Sequence, residues 1–154
     1  MLESLEQNQL QIAFQLLLAL VLGGLVGLER EFRRKEAGLK TYALVSLGSA
    51  LFTIVGLEMF RNFSGEAGLN FDPSHILQAI AIGIGFIGGG AILRREFHVE
   101  GLTTAAGLWI VAAIGAAVGS GLYITASIAA VLVLVVLTVF RSAEEMVFGA
   151  KKEE

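Results

Sequence analysis

The chain lacks cysteine and has only one proline, one tryptophan and two histidines in 154 residues. Without cysteine it can form no disulfide, thiolate metal site or cysteine nucleophile. Charged residues are also scarce, at 16% against roughly a quarter in soluble domains, whereas hydrophobic residues reach 55%. We find no Ser/His/Asp set and no metal-binding pair on one helix face, so we predict that the protein is not an enzyme. We also predict no nucleic-acid partner.

Five apolar stretches fill most of the sequence, and each is about long enough to cross a bilayer. They cover residues 10–28, 41–60, 76–93, 102–118 and 122–140. A hydrocarbon core about 30 Å thick needs roughly 20 helical residues, and a helix satisfies its own backbone hydrogen bonds in lipid. Gly119-Ser120-Gly121 is the expected hairpin between the last two stretches. The sequence predicts an all-α polytopic membrane protein, a bundle of five transmembrane helices forming a single domain over residues 1–154. A C-terminal soluble domain is not expected.

The basic residues indicate how this bundle is oriented. Of the 11 lysines and arginines, five lie in the first loop, two in the third and three in the tail. Only Arg61 falls on the other side of a five-span arrangement. Because positively charged loops remain in the cytoplasm, we predict that the N-terminus is outside and the C-terminus inside.

Glycine is concentrated in the third stretch, at Gly83, Gly85, Gly88, Gly89 and Gly90. Three of them match the G-x-G-x-x-G dinucleotide fingerprint, but a helix-length apolar stretch replaces the required strand. Two interpretations remain: close helix packing through small residues, with Gly85 and Gly89 spaced as GxxxG, or a locally unwound segment lining a polar path. Two further GxxxG pairs occur, at Gly23/Gly27 and Gly115/Gly119. Glycines on two faces of the third helix predict a homo-oligomer.

Acidic residues near the outer side provide the candidates for a metal ligand. Glu58 lies near the end of the second stretch, with Arg61 three residues on, where the two can form an ion pair. Alternatively, Glu58 with Asp72 or Glu66 attracts a hydrated Mg²⁺ ion, which favours carboxylate and water ligands. Asp72 is also a candidate cap for the third helix.

On the predicted cytoplasmic side, Glu29, Arg30 and Glu31 close the first stretch. These charges form either a solvated face or an ion-pair cluster in which a glutamate meets a cation of a facing loop; the candidate cations are Lys40, Arg94 and Arg95. Thr103 and Thr104 at the start of the fourth stretch can cap its helix or bond across helices. Trp109 lies well inside that stretch, so we expect a buried partner for its N–H group.

Four motifs together resemble the MgtC/SapB family of bacterial inner-membrane proteins. They are Gly27-Leu-Glu-Arg-Glu31, Ala37-Gly-Leu-Lys-Thr41, the glycine run Gly83–Gly90, and Gly101-Leu-Thr-Thr-Ala-Ala-Gly-Leu-Trp109 with Ala112–Gly115. The resemblance covers roughly residues 20–123, in the family's order and spacing. Lys40 stands where the family usually has arginine, and Gly89 where alanine is common.

The resemblance implies a multi-pass protein of the bacterial inner (plasma) membrane that is involved in Mg²⁺ transport or magnesium homeostasis. Mg²⁺ is then a substrate or ligand, and no cofactor is expected. In the transport hypothesis the motif residues line a polar cavity between spans one, three and four. In the alternative, the protein transports nothing and regulates another membrane complex, such as the ATP synthase. The motif positions implied for either role are Glu29, Arg30, Glu31, Lys40, Thr41, Thr103, Thr104 and Trp109.

Overall fold

Five α-helices and one β-hairpin form the described part of the chain, which in this computed structural model comprises residues 2–63, 72–95, 98–140 and 149. In chain order the elements are α1 (Leu2–Phe32), α2 (Leu39–Phe63), α3 (Ser74–Gly90), β1 (Leu93–Arg95), β2 (His98–Glu100), α4 (Leu102–Gly119) and α5 (Tyr123–Val135), which continues in a π-helical turn, Val136–Phe140. Each predicted apolar stretch therefore corresponds to a helix, and the predicted hairpin separates α4 from α5.

Four of the five helices are long and apolar enough to cross a membrane: α1, α2, α4 and α5 with its π-helical turn. The fifth, α3, has 17 residues, which at 1.5 Å per residue is about 25 Å. This is shorter than a hydrocarbon core of about 30 Å. Large apolar side chains are exposed on the outer faces of the helices, as expected where lipid is the solvent; examples are Leu10, Phe14, Phe52, Ile82, Ile124 and Phe140.

Helix α4 lies at the centre of the bundle, because it contacts all four of the other helices. The most extensive contacts join α1 to α2 and α2 to α4, whereas α3 packs chiefly on α4. The largest fully buried side chains come from the three central helices: Val26, Tyr42, Ser46, Thr104, Leu108, Val111, Ile114 and Val118. The expected grouping of spans one, three and four is therefore wrong, because α2 occupies the place predicted for α3.

Glycines in α1 and α4 allow this close approach. A Cβ atom added at Gly27 would lie 2.7 Å from the Tyr42 Cβ atom and 2.9 Å from the Gly38 carbonyl oxygen. One added at Gly119 would lie 2.6 Å from the Ala50 carbonyl oxygen. The GxxxG pairs of α1 and α4 thus bring both helices into backbone contact with α2.

The glycines of α3 behave differently from either expectation. The helix is regular from Ser74 to Gly90, so the local unwinding is not present. Gly88 faces a neighbour, with Ala105 at 3.6 Å from an added Cβ atom. Among the described residues, nothing lies within 4 Å of such an atom at the other four, Gly83, Gly85, Gly89 and Gly90. The expected close packing therefore fails within the chain for these four, because α3 lies at the edge of the bundle.

The β-hairpin between α3 and α4 was not predicted from the sequence. Its antiparallel register pairs Leu93 with Glu100 and Arg95 with His98, so residues 91–93, predicted to end the third span, lie beyond the helix. Gly101 joins the hairpin to α4 with a φ of +84°, and an added Cβ atom would overlap the Ala91 carbonyl oxygen. Glycine alone fits this position without strain.

Candidate functional site

A buried arginine marks the site where α1, α2 and α4 meet at the end that carries the first loop. Arg30 in the last turn of α1 is 5% exposed. Its Nη2 group donates a 3.0 Å hydrogen bond to the Thr104 hydroxyl, and its Nη1 atom lies 4.0 Å from a Glu29 carboxylate oxygen. Its buried Nε has no acceptor among the described residues. A positive charge is therefore held inside the bundle, where burial without partners is costly.

Thr104 connects the three helices and the first loop. Its hydroxyl accepts the bond from Arg30 and donates a 2.8 Å bond to Glu36 in the loop, while its backbone carbonyl accepts a 3.2 Å bond from the Tyr42 hydroxyl. The pKa of Glu36 is lowered, first by a hydrogen bond from its own backbone amide and then by the bond from Thr104. Of the two roles expected for Thr104, bonding across helices is confirmed.

Glu29 and Glu31 have separate roles in this site. A Glu29 oxygen lies 3.4 Å from the Nε atom of Arg33, the first residue after α1. The Glu29 side chain is only 11% exposed, and its oxygens accept no hydrogen bond from the described residues. Glu31 instead accepts a 2.9 Å bond from the Leu39 backbone amide at the start of α2.

Among the described residues, Glu29 pairs with Arg30 and Arg33, at the end of its own helix. Neither glutamate pairs with Lys40, which is exposed. The other proposed partners, the side chains of Arg94 and Arg95, lie outside the described part of the structure. Thr41 is half-buried and Thr103 is exposed, so the sequence motifs contain more polar residues than the site uses.

Trp109 differs from the sequence-based expectation. It is 53% exposed, so the predicted burial of its indole N–H is wrong. Helical spacing places Thr104, Leu108 and Val111 on the buried side of α4 and turns Trp109 outward. Its ring instead borders an apolar groove of about 360 Å³ between α3 and α4, together with Ile84 and Ala112.

A stripe of hydroxyl side chains continues from the site along the buried face of α2. Its members are Tyr42, Ser46, Ser49 and Thr53, and it spans about 16 Å at 1.5 Å per residue. Thr53 bonds to the Ser49 carbonyl at 2.8 Å. At the Thr53 end of this row, the Gln15 side chain of α1 donates hydrogen bonds to the backbone carbonyls of Val118 and Gly119 in α4. We call this row of four residues the hydroxyl stripe.

The hydroxyl stripe is packed against glycines rather than against open space. A Cβ atom added at Gly23 would lie 2.5 Å from the Ser46 Cβ atom, and one added at Gly119 would lie 2.9 Å from the Thr53 Cβ atom. The Ser46 hydroxyl is buried without a partner among the described residues. In this conformation the stripe is sealed between α1 and α4. The Tyr42 hydroxyl bonds to α4, whereas the Thr53 hydroxyl bonds within α2.

The acidic residues at the other end of the helices are already engaged. Glu58 and Arg61 form the predicted ion pair, with 2.7 Å between the carboxylate and the guanidinium. The Asp72 carboxylate accepts a 2.8 Å bond from the Ser74 amide at the start of α3, and this bond lowers its pKa. Glu66 lies outside the described residues. Within the described ranges, no group of three His, Asp or Glu side chains is placed to hold a metal ion.

Comparison with known proteins shows one family. A sequence model of the MgtC family matches residues 16–146. YhiD of Escherichia coli K12, whose name calls it a candidate magnesium transporter, is 43% identical over 84% of this chain and 60% of its own length. Protein MgtC of Brucella abortus is 41% identical over 80% of this chain and 48% of its own. Protein SrpB of Synechococcus elongatus is 38% identical over 89% and 79%. No solved structure matches the chain.

Proposed function

Because the chain belongs to the MgtC family, we propose that it serves magnesium homeostasis in the bacterial inner membrane, with its N-terminus outside and its C-terminus inside. The membrane setting is supported by four helices of spanning length, and the magnesium link by the name of the Escherichia coli relative. The chain spans about half to three-fifths of the length of this relative and of the Brucella protein. The orientation rests on the basic residues of the first loop.

In this proposal the protein acts by associating with membrane helices and does not conduct Mg²⁺ through its own bundle. The observation that carries it is the sealed hydroxyl stripe, which backbone contacts at Gly23, Gly27 and Gly119 close on both sides. A hydrated Mg²⁺ ion dehydrates reluctantly, so it would need space that these contacts occupy. The buried charge of Arg30 next to the stripe also disfavours a cation there.

Helix α3 provides the surface for association in this proposal. At four of its glycines an added Cβ atom would meet no described residue within 4 Å, and Phe86 between them is 86% exposed. Small residues let two helix backbones approach closely in lipid. We expect a second copy of the chain to pack on this face, which makes the protein a homo-oligomer; another membrane protein is the alternative partner.

Replacing Gly85 with leucine should therefore weaken self-association in membranes, because the larger side chain separates the two backbones. We expect at least a severalfold loss of dimer in a cross-linking or energy-transfer assay in liposomes, at unchanged protein-to-lipid ratio. Gly48→Leu is the matched control, because Gly48 lies on α2 with nothing within 4 Å of an added Cβ atom. If both variants associate as strongly as the unmodified protein, α3 is not part of the interface.

Transport of Mg²⁺ remains the second candidate, and one observation favours it. The Glu29 carboxylate is nearly buried, and its oxygens accept no hydrogen bond from the described residues. Buried carboxylates in membrane proteins commonly mark ion or proton pathways. In this alternative the pathway opens in another conformation or between copies, with Glu29 at its inner mouth and Glu58 at its outer one.

Mg²⁺ entry into proteoliposomes separates the two candidates. We expect liposomes that enclose an indicator dye and contain the purified protein at several densities to show no Mg²⁺ flux above that of empty liposomes. A saturable flux that falls in Glu29→Gln or Glu58→Gln would overturn the non-conducting proposal and establish transport. Size-exclusion profiles and helical circular dichroism should confirm that each variant is folded before reconstitution.

A further inference from the structure

A groove on the outer side of α1 leads to a cluster of cations in the first loop. The groove is lined by Leu25, Leu28, Glu29, Phe32 and Arg33, and it has a volume of about 510 Å³. Its apolar walls face outward, with Phe32 79% exposed. The guanidinium of Arg33 is partly exposed at the loop end of the groove. An open apolar surface that ends at a cation suits an amphiphile with an acidic headgroup.

The charges around this groove leave an excess of exposed cations. Between residues 29 and 40 the chain has five basic and three acidic residues. Each acid already has an internal partner: Glu29 lies beside Arg33, Glu31 caps α2, and Glu36 accepts the Thr104 hydroxyl. Arg34 and Lys40 are exposed and Lys35 is half-buried, and the described residues place no acid in an ion pair with any of these three.

The loop holds the backbone of Arg34 and Lys35 in a defined conformation. The Lys35 amide donates to the Arg30 carbonyl and the Arg34 amide to the Glu31 carbonyl, which is the Schellman pattern of a helix C-terminus. Arg34 occupies its left-handed position, with a φ of 54°, where glycine is usually found. The chain therefore has an arginine at a backbone position where glycine would be less strained.

We infer that α1 and the first loop form a binding site for an anionic phospholipid, with one acyl chain along Leu25, Leu28 and Phe32 and the phosphate at Arg33 and Arg34. Basic residues next to a membrane-spanning helix attract acidic headgroups. The Glu29 carboxylate in the groove should not repel the phosphate, because both of its oxygens are buried and face Arg30 and Arg33. The site is independent of whether the protein conducts Mg²⁺.

Native mass spectrometry of the full chain in detergent tests this site. We expect dioleoyl-phosphatidylglycerol to be retained in preference to dioleoyl-phosphatidylcholine, and soluble glycerol phosphate to bind much more weakly because it lacks acyl chains. In the double variant Arg33→Gln/Arg34→Gln, affinity for phosphatidylglycerol should fall about fivefold for each cation removed. The charge-preserving variant Arg33→Lys/Arg34→Lys should retain most of it.

Arg61→Gln, at the other end of α2, is the control for a general loss of positive charge, and it should leave lipid retention unchanged. Equal retention of the two lipids by the unmodified protein would overturn the inference. So would an equal loss in Arg61→Gln and in the double variant. Tight binding of glycerol phosphate alone would also contradict it, because the groove would then contribute nothing. Helical circular dichroism should be the same for all variants compared.

Discussion

Replacing Gly115 with alanine should destabilise the protein by roughly 3 kcal/mol, at the upper end of the usual cost of overpacking. The added methyl group would overlap the Ser46 carbonyl oxygen and lie 2.9 Å from the Ser46 Cα atom. These are backbone atoms in the interior of α2, so no side-chain rotation can relieve the contact. Helices α2 and α4 would have to move apart along the hydroxyl stripe.

The measurement is the free energy of unfolding in mixed micelles with increasing dodecyl sulfate. Gly48→Ala is the matched control, because the same methyl group on α2 meets no atom within 4 Å. It should be neutral or stabilising by up to about 1 kcal/mol, since alanine has the higher helix propensity. If the two variants unfold alike, the backbone contact between α2 and α4 does not exist in the membrane.

Replacing Arg30 with leucine should have an effect of similar or larger size, because it leaves polar groups buried without their partner. Loss of one member of a buried charged network costs about 3–5 kcal/mol. The Thr104 hydroxyl would lose its donor, and of its two described cationic partners Glu29 would retain Arg33. We expect Arg30→Leu to be recovered poorly or to unfold at much lower dodecyl sulfate than the unmodified protein.

The comparison that makes this result specific is Arg61→Leu. Arg61 forms an ion pair with Glu58, but its side chain is 66% exposed, and exposed pairs contribute about 0–1 kcal/mol. Arg30→Lys should be intermediate, since it keeps the charge but loses the planar guanidinium. Equal stability of Arg30→Leu and Arg61→Leu would mean that the charge at Arg30 is solvated.

The helices could be predicted because crossing a bilayer imposes a length on each apolar stretch, whatever the partner helices are. Asp72, the candidate cap, lies two residues before α3 begins at Ser74, although the N-cap position itself is Pro73. The end of α3 could not be located in the same way. Ala91, Ile92 and Leu93 are as apolar as a helix interior, yet the chain leaves the helix there and pairs Leu93 with Glu100 in a hairpin.

The arrangement of the helices could not be predicted from the sequence, because glycine spacing does not indicate which helix is central. The densest glycine run is in α3, whereas the glycines that pack against α2 are the sparser ones of α1 and α4. The bond between Arg30 and Thr104 joins residues 74 positions apart. One signal could have indicated it: both residues lie at helix ends on the same predicted side of the membrane.

The short length of α3 also affects the thickness of the bilayer around it. A helix of about 25 Å in a core of about 30 Å creates a hydrophobic mismatch, which the surrounding acyl chains reduce by locally thinning the bilayer. The four helices of spanning length have 18 to 27 residues, so the mismatch is largest at α3. One side of the protein is therefore best matched by shorter acyl chains. Two such thinned regions cost less when they merge, so the bilayer would favour the association of copies along α3 that we propose.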